Sequence, residues 1–145
     1  MHKIVKKYLL LFEKISNTAR QYKSYDTDVD IYRSEIHIIQ LIGDNTELYI
    51  SQISKMIGIT KGTVSQIVKR LETKKLVRKY VDAANNTRQL VRLTDKGRTA
   101  YESHEKFHQT QHVEMVKFLN NLDGDQRSVI EQFIEHAQDM VEDHI

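Results

Sequence analysis

Residues 50–73 read ISQISKMIGITKGTVSQIVKRLET, and the spacing of apolar residues within them decides the architecture. Ile50 to Ile57 predicts a short helix, and Gly58 is placed to end it, because glycine enters the left-handed conformation of a helix stop without steric penalty. Thr60 then caps a second helix through its hydroxyl. In that helix Val64, Ile67, Val68 and Leu71 fall at i, i+3, i+4 and i+7, which is one buried stripe. Gly62, Gln66, Lys69 and Thr73 lie opposite, flanked by Thr63, Ser65 and Arg70, so the outward face is made of hydrogen-bonding groups and positive charge. Two helices joined by a tight glycine-containing turn, the second polar and basic outside, form the pattern of a helix-turn-helix.

The charge distribution points the same way. A net charge of +2 over 145 residues hides a strong asymmetry. Residues 1–50 hold seven Lys+Arg against seven Asp+Glu, residues 51–98 twelve against three, and residues 99–145 three against ten. The middle segment therefore stands at +9 and the last at −7. Concentrated positive charge is the footprint of a polyanion site, since neutralising phosphates releases condensed counterions. A solvated charged face is the bland alternative.

The length is close to the prior of ~150 residues for one domain. With 39% apolar and 29% charged residues, a single globular domain over residues 1–145 is expected. No apolar run approaches the ~20 residues of a membrane-spanning helix. Met1 to Lys7 leads into no signal-peptide cleavage pattern, so a cytoplasmic protein without a membrane partner is expected. With no cysteine in the chain, disulfides, thiolate metal sites and thiol sensing are excluded.

Outward from the central stretch, Ile4 to Ala19 predicts a first helix with Val5, Tyr8, Leu9, Phe12, Ile15 and Ala19 on one face, widened by Leu10 and Leu11. Tyr22 to Arg33 reads as a polar connection. Ser34 is placed to cap a short helix ending near Gly43, with Ile36, Ile39 and Leu41 inward. Past Leu71 the period changes to that of strands: Leu76 to Val81 and Gln89 to Leu93 predict a hairpin with a polar tip from Asp82 to Arg88. Thr94 caps a long helix running to about Leu122, and Asp123 with Gln126 resembles a capping box that starts a last helix. That helix carries Val129, Ile130, Phe133, Ile134, Ala137, Met140 and Val141. The fold class is mainly α with a small β-hairpin wing.

This order of elements resembles the MarR family of winged-helix transcription regulators. The residues that carry the resemblance are Ile53 to Gln66, then Leu76-Val77-Arg78, and Val91-Arg92-Leu93-Thr94-Asp95-Lys96-Gly97, whose Leu-Thr-x-x-Gly step is the most specific. The resemblance spans essentially the whole chain and implies a winged helix over about residues 34–94. It implies a homodimer held by residues 1–22 and 95–145, with Val5, Tyr8, Leu9, Phe12, Phe133, Ile134, Ala137, Met140 and Val141 as interface candidates. Family members usually carry basic residues in the wing tip. By spacing back from Leu93-Thr94 those positions fall on Asn86 and Thr87, and Arg88, one place later, is the candidate. Arg78 and Lys79 are further candidates for phosphate contacts.

The seven histidines need their own account. His104-Glu105-Lys106-Phe107-His108 spells H-E-x-x-H, the zinc-protease signature. No third-ligand motif follows, so a metallohydrolase is the remote alternative. His104, His108 and His112 are spaced by four, and the outer two stand about 12 Å apart along a helix, so one neighbouring pair can share an ion but all three cannot. Zinc-responsive members of the resembled family bind metal through a second-helix histidine and a pair four apart early in the long helix. On this chain those positions are His37, His104 and His108, which the resemblance implies as zinc ligands. The same proteins add a carboxylate at the end of the first helix, where this chain reads Ala19-Arg20-Gln21-Tyr22-Lys23; Glu13, Asp26, water or an effector are the substitutes. Hydrogen-bonded packing histidines, or protonated donors to an organic anion, are the alternatives. His2, His112, His136 and His144 read as surface residues.

The expected function is a homodimeric repressor-type regulator, not an enzyme. It would bind a pseudo-palindromic double-stranded DNA operator and respond to a small-molecule or metal effector held between DNA-binding and dimerisation helices. Lys61, Gly62, Thr63, Ser65 and Gln66, with Thr60 at the cap, would meet bases or phosphates near the helix start. Lys55, Lys69 and Arg70 would hold backbone, and Arg88 would serve the wing. A DNA-coating protein without an effector is the third class.

Overall fold

In the computed structural model residues 1–143 are described, the side chains of Asn86 and Thr87 excepted. The elements are α1 (Lys3–Asn17) with a 3-10 turn at Thr18–Arg20, β1 (Tyr22–Lys23), β2 (Ile31–Tyr32) and α2 (Arg33–Asn45). They continue with β3 (Glu47–Tyr49), α3 (Ile50–Ile57), α4 (Lys61–Thr73), β4 (Val77–Asp82) and β5 (Asn85–Leu93), then α5 (Asp95–Gln111), α6 (Val113–Asn120) and α7 (Gly124–Glu142). Two compact units result, Met1–Lys106 and the residues from Phe107 onward. His144 and the side chains of Asn86 and Thr87 lie outside the described residues.

The first unit is built around the helix-turn-helix. Gly58 takes φ 77° and its N–H donates to the Ser54 carbonyl at 2.9 Å, ending α3 as its position requires. Thr60 accepts from the Thr63 N–H at 3.2 Å and starts α4. Val64, Ile67, Val68 and Leu71 are all buried. At about 1.5–3 kcal/mol for each aliphatic side chain taken from water, that stripe outweighs the weak helix propensity of Gly62, Thr63, Val64 and Ser65. Ile36, Ile38, Ile39 and Ile42 of α2 join the same core, as do Leu48, Val77 and Val91 from the strands and Ala100 from α5. Leu41, expected inward, is only partly buried against it.

The wing is a three-stranded antiparallel sheet in the order β3-β5-β4. Its register pairs Val77 with Leu93 and Val81 with Gln89 on one side, and Glu47 with Arg92 and Tyr49 with Leu90 on the other. β5 starts at Asn85, so the turn is shorter than the seven-residue tip the sequence predicts. β3 spans three residues, too few for a period of two to be read. The two-residue β1 and β2 pair within the stretch predicted as a plain connection.

Three local expectations are corrected. Tyr32, not Ser34, is the N-cap of α2, with its N–H donating to Glu35 Oε2 at 3.0 Å. Gly43 does not stop α2, which runs on to Asn45. Its missing side chain instead admits Tyr101, since a Cβ there would stand 2.2 Å from the ring. The long helix breaks at His112 into α5 and α6.

Thr94 fastens the end of the wing. Its N–H donates to the Leu76 carbonyl at 3.1 Å, its hydroxyl to the Lys75 carbonyl at 2.6 Å, and the same hydroxyl accepts from the Gly97 N–H at 3.1 Å. Gly97 therefore lies directly on the Leu76 carbonyl. In the second unit α7 begins with the expected reciprocal box, the Gln126 N–H donating to Asp123 at 2.8 Å and the Asp123 N–H to Gln126 at 3.0 Å. α1, α6 and α7 have no buried residue.

Candidate nucleic-acid interface and histidine cluster

Of the residues nominated from the sequence for DNA contact, all but Lys79, which is half-buried, are exposed. On α4 and its cap these are Thr60, Lys61, Gly62, Thr63, Ser65, Gln66, Lys69 and Arg70; on α3 it is Lys55, and in the wing Arg88. Burying the stripe at Val64, Ile67, Val68 and Leu71 leaves the polar side of the same helix no other orientation. The Thr60 and Thr63 hydroxyls lie 2.8 Å apart at the cap.

Arg70 differs from the other cations. Its Nε donates to Glu35 Oε1 at 3.2 Å, and Lys74 donates to Glu35 Oε2 at 2.8 Å and to the Asp30 carbonyl at 2.6 Å. Glu35 is fully buried while Arg70 keeps 53% of its side chain exposed. The pairing ties the C-terminal half of α4 to the start of α2 and engages part of Arg70's charge internally. Lys55, Lys61 and Lys69 have no ion pair among the described residues. Elsewhere in the basic segment Lys79 meets Glu72 at 3.5 Å, Arg92 meets Glu47 at 2.6 Å and Lys96 meets Asp28 at 2.5 Å.

In the wing the Tyr49 hydroxyl donates to Asp82 Oδ2 at 2.6 Å, and the Arg88 guanidinium lies 5.2 Å from the centre of the Tyr49 ring. The Tyr49 hydrogen bond, followed by that of the Ala84 N–H, holds the Asp82 carboxyl below the usual carboxylate range. A lowered folded-state pKa stabilises the fold above the ordinary carboxylate range, and that contribution is lost as pH falls through the lowered value. Tyr49→Phe is expected to return the Asp82 titration toward the ordinary range, which a carboxyl carbon NMR titration reads directly.

The histidines nominated as ligands are placed unevenly. His104 of α5 is 4% exposed, and its ring centre stands 6.5 Å from that of His37 on α2. Gln40, missed in the sequence, organises this corner. Its amide donates to the acceptor-only Glu105 carboxylate, which orients its carbonyl oxygen toward His104 Nδ1 at 2.7 Å. His104 therefore carries its proton on Nδ1, and in the neutral ring the lone pair is on Nε2. Tyr25 faces His104 edge-on at 5.6 Å, and burial pushes the Tyr25 hydroxyl pKa up. His108, by contrast, has Nδ1 3.2 Å from His112 Nε2. Among the described residues no group of three or more His, Cys, Asp or Glu is arranged to hold a metal ion.

Sequence reasoning also missed Glu35. The available signal was a carboxylate in helical step with Ile38, Ile39 and Ile42, and its partners Arg70 and Lys74 stand four apart at the end of α4.

A helix-turn-helix closed by a β-wing, with its polar helix exposed, defines a winged-helix DNA-binding protein. Residues 29–97 match the MarR family. The chain is 23% identical over 148 residues to the HTH-type transcriptional regulator PchR of Bacillus subtilis strain 168, covering 98% of this chain and 88% of PchR. Adhesin competence repressor AdcR of Streptococcus pyogenes superposes with a TM-score of 0.82 at 17% identity, covering 97% of this chain and 99% of AdcR. ZitR of Lactococcus lactis in complex with DNA superposes with a TM-score of 0.75 at 16% identity over 94% of each chain. ZitR is a zinc-responsive MarR family member. The winged-helix part of the chain, residues 29–97, is thus of the MarR family, whose members are transcriptional regulators and not enzymes. The H-E-x-x-H spelling at His104 to His108 is thus not a protease signature. No helix among the described residues is long and apolar enough to cross a membrane.

Proposed function

We propose that residues 1–145 act as one MarR-type domain, a homodimeric repressor working in the cytoplasm on a pseudo-palindromic operator. The carrying observation is the face of α4, where Lys61, Gly62, Thr63, Ser65, Gln66 and Lys69 are all exposed opposite a wholly buried stripe. Two such helices in a dimer reach successive major grooves about 10 base pairs apart. Exposed Leu9, Leu10 and Phe12 on α1 and Phe133 and Ile134 on α7 support dimerisation, because apolar side chains gathered on a helix favour a partner over water.

Lys69→Ala is expected to weaken binding to operator and random duplex alike and to reduce the slope of log affinity against log salt by about 0.9, the value for one phosphate contact. Gln66→Ala is expected to lower operator affinity by about 1–3 kcal/mol and to relax discrimination at the base it reads. Fluorescence anisotropy across a salt series measures both. Operator affinity unchanged in both variants sinks the assignment, and equal affinity of the wild type for operator and random duplex favours a DNA-coating role.

The effector is read best at the corner of α2 and α5 formed by His37, Gln40, His104 and Tyr25. Zinc bound through His37, His104 and His108 is the second reading. It is favoured by the Nδ1 proton of His104 pointing at Gln40, because metal-ligating histidines usually donate their other ring N–H to an oxygen acceptor. It requires His108 to leave His112. Operator affinity with and without zinc, repeated in His37→Ala, tests it: a zinc response surviving that substitution removes the reading.

A further inference from the structure

Of the seven histidines, the half-buried His108 and the exposed His112 meet outside the DNA-binding face. His108 lies near the end of α5 and His112 is the residue between α5 and α6. The helical turn continues through the junction: the His112 N–H donates to the His108 carbonyl at 3.1 Å and the Val116 N–H to the His112 carbonyl at 2.9 Å. His112 is the N-cap of α6, yet its side chain makes no cap hydrogen bond. It turns back to His108, with ring centres 4.8 Å apart and His108 Nδ1 3.2 Å from His112 Nε2.

We propose that His108 and His112 form a solvent-open chelate for a divalent transition ion of the zinc and copper class, completed by water. Two nitrogens bound to a tetrahedral ion at about 2.0–2.1 Å stand about 3.3 Å apart. The observed 3.2 Å is close to that bite. Without an ion the same geometry is a hydrogen bond in which one neutral ring donates its N–H to the other; on binding, the donor ring exchanges that proton through solvent for one on its other nitrogen, so both facing nitrogens present lone pairs to the ion with no net proton released. Imidazole nitrogens suit zinc, nickel and copper, whereas magnesium and calcium take oxygen ligands.

The surroundings permit occupation. The pair lines a shallow concavity with Gln109, Val113, Val116 and Lys117. Lys117 is paired with Glu114 at 3.2 Å, which offsets its ammonium charge. Phe107 stands edge-on to His108 at 6.0 Å. An ion held across this pair clips the last turn of α5 to the first of α6, stiffening the junction at which the expected long helix breaks. The site goes beyond the zinc reading above, since its second ligand is His112 and it needs neither His37 nor His104.

Zinc ions alone, titrated calorimetrically into the purified full chain, test the proposal. One strong site is expected. Because losing a mere outer-shell partner costs about 10–100-fold in metal affinity, His108→Gln and His112→Gln should each weaken the site at least about 100-fold. His37→Ala should leave the site unchanged. Neither position is buried, and circular dichroism checks that both glutamine variants fold. Wild-type affinity in His112→Gln, loss of the site in His37→Ala, or no binding at millimolar zinc each overturns the chelate. The second of these outcomes points to the His37 set instead.

Discussion

Gly97→Ala is expected to cost about 3 kcal/mol or more, beyond the usual range for overpacking and a large share of the ~5–15 kcal/mol by which a domain is stable. A Cβ at this position would stand 1.9 Å from the Leu76 carbonyl oxygen and 3.4 Å from the Leu93 Cβ. The oxygen cannot retreat cheaply, because it accepts the Thr94 N–H at 3.1 Å, and Leu76 itself is fully buried. Relief would require α5 to lift from the wing, with loss of the Thr94 hydroxyl bonds to Lys75 and Gly97. Urea unfolding followed by circular dichroism measures the loss. A midpoint within error of the wild type would show that the α5 start can shift freely. Gly62→Ala is the control, since a Cβ there meets nothing within 4 Å.

Glu35→Ala carries the second large effect, a destabilisation of about 3 kcal/mol. Hydrogen bonds to a charged group contribute about 1.5–3 kcal/mol each. Glu35 accepts from Arg70, Lys74 and the Tyr32 N–H, but the Arg70 term is discounted because half of that side chain reaches water. The total stays below that of an orphaned buried ion, since after truncation the two cations turn to solvent. Glu35→Gln keeps an oxygen for the Tyr32 N–H and should fall between wild type and Ala. Chemical denaturation measures all three, and equal stability of the Ala and wild-type proteins would show that the buried carboxylate repays no more than its own desolvation.

How far the fold was legible follows from how local each signal is. The stripe Val64, Ile67, Val68 and Leu71, the Gly58 stop, the Thr60 cap and the Asp123–Gln126 box each act within one or two turns of helix, and each reappears in the structure. β3 is three residues long and exists only because β5 lies beside it, so no local pattern announces it. Gly43 reads as a stop because a glycine stop is a local rule. Its actual reason, the ring of Tyr101, comes from 58 residues downstream. The long helix carries no Gly or Pro at His112 to mark its break.

The candidate site divides along the same line. Exposure of Gln66 and Lys69 follows from periodicity within α4. The engagement of Arg70 with Glu35 does not, because it joins residues 35 positions apart. The spacing of the histidines allowed either neighbouring pair to share an ion. In the fold His108 and His112 meet, with ring centres 4.8 Å apart, a pairing that spacing alone does not select.

The internal ion pairs of the basic segment have a further consequence for tuning. Twelve cations between residues 51 and 98 set an upper limit on charge offered to a duplex, and Arg70, Lys74, Lys79, Arg92 and Lys96 each have an acidic partner in the fold. Those acids act as built-in competitors with phosphate. Neutralising the half-exposed Glu72 or Glu47 would hand a cation to the backbone of any sequence without touching the face that reads bases. Affinity and selectivity are thereby adjustable through different residues, which lets a regulator of this build strengthen its hold on DNA while its choice of site stays fixed.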